Sequence, residues 1–149
     1  MMKWIDMPPV WLAGFLLVAW RQSVSLPLLS LEGWFTQPLS GMLIGAAILL
    51  FAFAVVQFQK HKTTIIPGQE ASAMIQSGIY RFSRNPIYLA DALLLAGLIL
   101  RWDAVLSLPL IPIFVWIIEK RFIEREEDHL RKKFRVQYAA YCRKTRRWL

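Results

Sequence analysis

Residues 39–58 read LSGMLIGAAILLFAFAVVQF, twenty positions without a charge. An α-helix needs about 20 mostly apolar residues to cross the hydrocarbon of a bilayer. This run therefore predicts a membrane-spanning helix rather than the buried strand or helix of a soluble domain. The rest of the chain has to be compatible with that solvent.

The composition is compatible. Of 149 residues, 56% are hydrophobic and 19% are charged, and most of the charge lies in the last thirty. Soluble domains carry closer to about 25% charged residues. The formal net charge of +8 is segregated at one end. That pattern points to basic cytoplasmic segments of a membrane protein and away from a nucleic-acid surface. A single cysteine, Cys142, excludes an intrachain disulfide. It reads as an inert thiol on a polar tail, and no metal site is expected.

Three further apolar stretches flank the first. One runs from about Pro8 to Leu29, interrupted by Arg21 and Pro27, with Trp11 and Trp20 placed as interfacial anchors. It lacks the small-x-small cleavage site of a signal peptide. Another covers about Pro86 to Leu100, and the last about Ala104 to Ile118. Arg101, Trp102 and Asp103 between them read as a tight interfacial turn, so these two form an antiparallel hairpin. Both are short for a full span and require tilt or local thinning. The chain is thus expected to be all-α, with about four transmembrane helices. Residues 1–59 form the N-terminal transmembrane part and 60–149 the remainder of one domain.

The connector from Lys60 to Arg84 carries Lys60, Lys62, Arg81 and Arg84 against one acid, Glu70, with a turn at Pro67–Gly68. With four spans, this connector and the tail from Glu119 fall on one side. Both are basic, so that side is read as cytosolic and the membrane as the cytoplasmic one. Residues 122–141 contain no glycine or proline. On a helical wheel Ile123, Leu130, Phe134, Tyr138 and Tyr141 fall within about 60° of one direction. Arg125, Asp128, Lys132 and Arg135 lie opposite. This is a C-terminal amphipathic helix on the cytosolic side. Glu126 and Glu127 flank its apolar stripe, where acids gain nothing from anionic lipid. They imply either a polar or cationic group held beneath the helix or pairing with basic residues of the connector.

Asn85-Pro86 reads as a helix start, with asparagine as N-cap and proline at the first helical position. The free N–H groups and positive dipole end there suit an anionic group. Arg81 and Arg84 add to that field or serve as positive-inside anchors. Tyr80 and Tyr88 fit interfacial aromatics, and His61 a solvated interfacial residue. Asp91 is an acid one turn inside an apolar helix, a candidate for function by position.

Taken in order, T-T-I-I-P-G (63–68), G-I-Y-R-F-S-R-N-P-I-Y-L (78–89), E-R-E-E-D-H-L-R-K-K-F (124–134), Y-A-A-Y (138–141) and R-R-W-L (146–149) are similar to the isoprenylcysteine carboxyl methyltransferase family and its prokaryotic membrane relatives. They also resemble phospholipid N-methyltransferases. The resemblance runs from about Lys60 to Leu149. It implies a membrane methyltransferase that uses S-adenosylmethionine and releases S-adenosylhomocysteine. It makes residues 60–149 the cofactor-binding core. It places Tyr80, Arg84, Asn85, Pro86, Tyr88, Glu126, Glu127 and Leu130 around the cofactor, with Arg84 and Glu127 as the catalytic pair. The implied partners are membrane lipid and a lipophilic or small-molecule methyl acceptor, of the carboxylate type in isoprenylcysteine methylation.

Four positions depart from the family pattern. Asn85 replaces the usual histidine, Ala90 replaces a common glycine, Asp91 is atypical, and Arg135 stands where a glycine often follows the phenylalanine. A non-catalytic membrane module of the same fold is the alternative. A small transporter is disfavoured, since no inverted repeat is present. No GxGxxG follows a strand pattern, which argues against a Rossmann-type soluble methyltransferase.

Overall fold

A computed structural model describes residues 5–63 and 74–149. The Pro67–Gly68 turn and Glu70 lie outside the described residues. Within them the chain has no strand. It forms α1 (Pro8–Ser25), α2 (Thr36–Lys60), α3 (Pro86–Arg101), α4 (Leu110–Ile118) and α5 (Glu124–Lys144). Short 3-10 turns occupy Gly78–Arg81 and Val105–Ser107, and a π turn, Glu119–Ile123, joins α4 to α5.

Local chemistry sets the helix ends. The first stretch stops at Ser25 instead of Leu29 because the residue before Pro27 is forced out of helical geometry: Leu26 has φ −138° and ψ 64°. Helix α2 ends with Lys62 at φ 49°. There Thr63 N–H reaches the Phe58 carbonyl at 3.3 Å and Lys62 N–H the Gln59 carbonyl at 3.3 Å, a left-handed C-terminal cap. The same device closes α3. Asp103 takes φ 51°, and Ala104 N–H donates to the Ile99 carbonyl at 2.9 Å. The expected turn at Arg101–Asp103 therefore forms, and Asp103 Oδ1 also accepts Leu31 N–H at 2.9 Å. The fourth stretch becomes helical only at Leu110, with Pro109 as its N-cap.

The expected tail helix is present but is not a separate element. Nothing between Ile118 and Glu124 breaks a helix, so α4 continues through the π turn into α5. The predicted stripe holds: Ile123, Tyr138 and Tyr141 are buried, Leu130 and Phe134 are half-buried, and Arg125, Asp128, Lys132 and Arg135 are exposed. Arg135 interrupts the helix at φ 39°, ψ −108°, a conformation that favours glycine. The start of α1 is pinned to the π turn. Asp6 accepts from Arg121 Nε and from Trp11 Nε1, and the Arg121 guanidinium lies 5.4 Å from the Trp11 ring centre.

The main core joins α1, α3 and α4 with the π turn: Leu12, Ala19, Leu95, Ile99, Phe114, Ile118 and Ile123 are buried together. Phe15 meets Phe114 edge-on at 5.4 Å. Helix α2 packs on the other side of α3, where Gly97 lies against Ile44 and Leu43. A smaller cluster of Ala54, Ile75 and Tyr80 fixes the 78–81 turn on the end of α2. Gly78 has φ +60°, and a Cβ there would collide with Gln57, whose Oε1 accepts from Ser77 Oγ at 2.8 Å. Gly78→Ala is expected to destabilise the fold by about 1–2 kcal/mol, measured by thermal unfolding in detergent.

Among the described residues, one helix, Thr36–Lys60, is long and apolar enough to cross a membrane. It leaves Met42, Ile48, Leu49, Phe51 and Phe53 exposed. A contiguous apolar surface of that kind is stable against lipid or a partner, not against water.

Candidate functional site

The site forms where the start of α3, the start of α5 and the chain beyond α5 meet. Pro86 occupies the first position of α3 and Asn85 its N-cap, as the sequence predicts. The capping hydrogen bond does not form. Asn85 Nδ2 instead donates to the Arg147 carbonyl at 3.1 Å, and Asn85 N–H goes to Ser83 Oγ, also at 3.1 Å. The amide nitrogen has found a tertiary acceptor, and the amide oxygen leaves the first-turn N–H groups of α3 uncapped.

That acceptor is available because the chain turns back at Thr145, which leaves the helix at φ −130°, ψ 130°. Residues 145–147 then run beside the Arg81–Asn85 corner. Arg84 N–H donates to the Arg146 carbonyl at 3.0 Å, Ser83 Oγ to the Arg147 carbonyl at 3.4 Å, and Thr145 Oγ1 to the Arg81 carbonyl at 3.3 Å. Just before the turn, Tyr141 OH donates to the Tyr80 carbonyl at 2.7 Å. Tyr80 is buried, with its ring edge-on to Phe58 at 5.9 Å, and burial pushes its phenol pKa up.

The two glutamates have different partners. Glu127 is 6% exposed and receives the Arg147 fork, Nε on Oε1 at 2.9 Å and Nη2 on Oε2 at 2.7 Å. Arg147 Nη1 also reaches Glu119 Oε1 at 2.7 Å, while Trp148 Nε1 donates to Glu119 Oε2 at 3.1 Å. Arg84 Nη2 lies 3.7 Å from Glu127 Oε1. Its Nη1 donates to Tyr138 OH at 3.4 Å and to Cys142 Sγ at 2.6 Å, and its Nε is buried without a hydrogen-bond partner among the described residues. Glu126 accepts from Tyr88 OH at 2.6 Å through Oε1. Its Oε2 has no hydrogen-bond partner among the described residues.

In a regular helix, eight residues turn by about 800°, which would place Glu119 and Glu127 about 80° apart. The π turn absorbs about one residue, which brings that offset down to about 20° and lets one guanidinium reach both.

The structure thus brings Arg84, Asn85, Pro86, Tyr88, Glu126 and Glu127 together, with Tyr80 alongside through the Tyr141 bond. Leu130 is half-buried one turn further along α5 and makes no polar contact. Among the participants that the sequence does not place at the site are Ser83, Glu119, Tyr138, Cys142 and Arg147. Cys142, expected to be a thiol on a polar tail, instead lies against Arg84. The R-R-W-L segment contains Arg147, so its position in the ordered resemblance was the available signal.

Burial raises the Glu126 carboxyl above its ordinary value of 4.5, with the Tyr88 bond opposing and Glu127 adding to the rise. The folded state therefore binds this proton more tightly than the unfolded chain. The resulting stability is complete below pH 4.5 and is lost as pH climbs through the raised value. Glu126→Gln is expected to remove that decline, so melting temperatures of mutant and wild type should diverge in the mutant's favour as pH rises over this window.

A family model described as phospholipid methyltransferase matches residues 35–137. No curated protein and no solved structure gave a match. The matched span holds α2, the hairpin, the Arg84–Tyr88 corner and both glutamates, and ends before Tyr138 and the returning Arg147. Since it covers well over half of the chain, this protein belongs to the phospholipid methyltransferase family, the membrane methyltransferases that also include the isoprenylcysteine type.

Proposed function

We propose that the protein is an S-adenosylmethionine-dependent methyltransferase acting on a lipophilic or small acceptor at the cytoplasmic face of the membrane. One observation carries the reading. The arginine–asparagine–proline corner and the glutamate pair, some forty positions apart, meet at 2.6 Å between Tyr88 and Glu126 and at 3.7 Å between Arg84 and Glu127. Two polar atoms there have no hydrogen-bond partner among the described residues: the buried Arg84 Nε and Glu126 Oε2.

Those groups fit the cofactor's chemistry. Arg84 suits its carboxylate, and Glu126, oriented by Tyr88, suits a ribose hydroxyl or the amino group. Asn85, Pro86, Tyr80 and Leu130 complete the surroundings. Glu127 holds Arg84 and Arg147 in place and so sets the geometry of the corner. When bound, the cofactor supplies a methyl group already activated on a sulfonium. The protein's work is then positioning and exclusion of water. Arg84 steers an anionic acceptor group toward the same corner.

In this reading α1, α3 and α4 accompany α2 in the bilayer, with connector and tail in the cytosol. At about 1.5 Å per residue α3 is near 24 Å long, short of the roughly 30 Å core, so it tilts or the bilayer thins.

A non-catalytic module is favoured by one fact: both Glu127 oxygens are already taken by Arg147. Calorimetry of purified protein with S-adenosylhomocysteine separates the two. A saturable heat that weakens in Glu126→Gln supports the enzyme. Absence of heat at millimolar ligand supports the module.

A further inference from the structure

The charge-free run of α2 ends at Phe58. In a bilayer a helical run of this length spans about 30 Å, the thickness of the hydrocarbon, so Phe58 lies where the headgroups begin. The Gly78–Arg81 turn is fixed at that level. The Tyr80 ring meets Phe58 edge-on at 5.9 Å, and Ser77 Oγ donates to Gln57 Oε1 at 2.8 Å. Phe82 follows directly and is 68% exposed. An aromatic side chain this bare, at this depth, suits the interface of a leaflet.

The returning chain lies on the same corner. Thr145 Oγ1 donates to the Arg81 carbonyl at 3.3 Å, and Arg84 N–H to the Arg146 carbonyl at 3.0 Å. Residues 78–85 and 142–149 together hold Arg81, Arg84, Arg143, Lys144, Arg146 and Arg147, and no acid. Glu127 and Glu119 answer the charges of Arg84 and Arg147. The other four are exposed, and their side chains make no ion pair or hydrogen bond among the described residues. Like charges on two adjoining segments repel one another until an outside anion meets them.

We infer that the Arg81–Phe82 turn and the 143–146 segment form a docking surface for the anionic phospholipid headgroups of the adjoining leaflet, with Phe82 inserted beneath them. A nucleic acid or an acidic protein matches the charge but leaves the bare ring at headgroup depth without a use. The exposed apolar surface of α2 runs up to Val56, one turn before the helix ends, so lipid covering α2 brings its headgroups to this corner. Basic segments beside a membrane helix gain most from anionic lipid within a Debye length of the surface. Headgroups held here bridge the two segments that build the site, and so clamp its corner. Docking rests on the four cations and Phe82 alone. Only the clamp's bearing on a cofactor rests on the methyltransferase reading.

The test titrates the full chain in dodecyl maltoside with dioleoylphosphatidylglycerol or dioleoylphosphatidylcholine and follows the melting temperature. Near ten times its dissociation constant, the anionic lipid should raise the melting temperature by about 3–5 °C, and the zwitterionic lipid by about 1 °C or less. Arg81→Gln combined with Arg146→Gln should melt like wild type without lipid and lose the anionic lipid's advantage. The corresponding pair of lysine substitutions should keep most of it. Phe82→Ser should weaken it. Arg125→Gln combined with Lys132→Gln, on the exposed face of α5, should leave it intact.

Equal shifts from the two lipids in wild type overturn the inference. An undiminished advantage in the Arg81/Arg146 glutamine pair or in Phe82→Ser does so too. An equal loss in the Arg125/Lys132 pair also overturns it, because it marks net charge instead of a surface. Decaglutamate or inorganic phosphate that matches the anionic lipid at equal charge has the same force, the first pointing to an acidic protein and the second to a free anion. S-adenosylhomocysteine calorimetry on the same samples keeps the two ideas apart. Selectivity for the anionic lipid without nucleoside binding removes the methyltransferase reading and leaves the docking surface standing. Nucleoside binding without that selectivity does the reverse.

Discussion

Glu127→Ala is expected to cost the fold about 2–4 kcal/mol and to abolish the S-adenosylhomocysteine heat. Glu127 is the anion shared by two guanidinium groups, with Arg147 bidentate at 2.7–2.9 Å and Arg84 at 3.7 Å. Removing a buried partner leaves charges with poor access to water. Arg147 is about a third exposed and recovers some hydration, which keeps the cost below that of a fully buried pair. The chain around Arg147 then loses its anchor, and with it go the acceptors used by Asn85, Ser83 and Arg84. Glu127→Gln preserves volume and one acceptor, so it should lie between wild type and alanine in melting temperature. Thermal unfolding in detergent and calorimetry read the two effects separately. An alanine variant with wild-type stability would contradict the network described for this corner.

Gly97→Val is expected to be comparably damaging, by a different route. A Cβ on Gly97 would stand 2.7 Å from Ile44 Cγ1 and 3.2 Å from both the Ile44 backbone nitrogen and Leu43 Cβ. The Ile44 side chain can rotate, but the α2 backbone cannot yield without the whole helix moving. Overpacking of this kind costs about 1–3 kcal/mol, and the branched residue falls toward the upper end. The readout is the monodisperse fraction on size-exclusion chromatography together with the melting temperature. Gly97→Ala should show a smaller shift in the same direction.

What the sequence disclosed depended on how local the cause was. Helix α2 was legible because a charge-free run has few other destinations. The stripe of α5 was legible because Ile123, Tyr138 and Tyr141 recur at helical spacing. The hairpin turn followed from Arg101–Asp103 breaking an apolar run. Asn85–Pro86 signals a helix start correctly, yet it does not disclose where the asparagine's hydrogen bond goes. The rule for caps is local, and the Arg147 carbonyl arrives from 62 residues away. Glu126 and Glu127 were conspicuous as acids beside an apolar stripe. Their different partners depended on the return of the chain after Thr145, which no periodicity encodes. The π turn was equally hidden, since Glu119–Ile123 has the composition of ordinary helix.

That π turn has a consequence for comparing relatives. It behaves as a single inserted residue that the helix has swallowed without changing the phase of the turns beyond it. Where a homologous helix runs uninterrupted, the acids corresponding to Glu119 and Glu127 should stand seven positions apart, with a one-column gap between them. Deleting one codon inside this bulge should therefore be milder than deleting one between Asp128 and Lys133, where nothing is left to absorb the missing step.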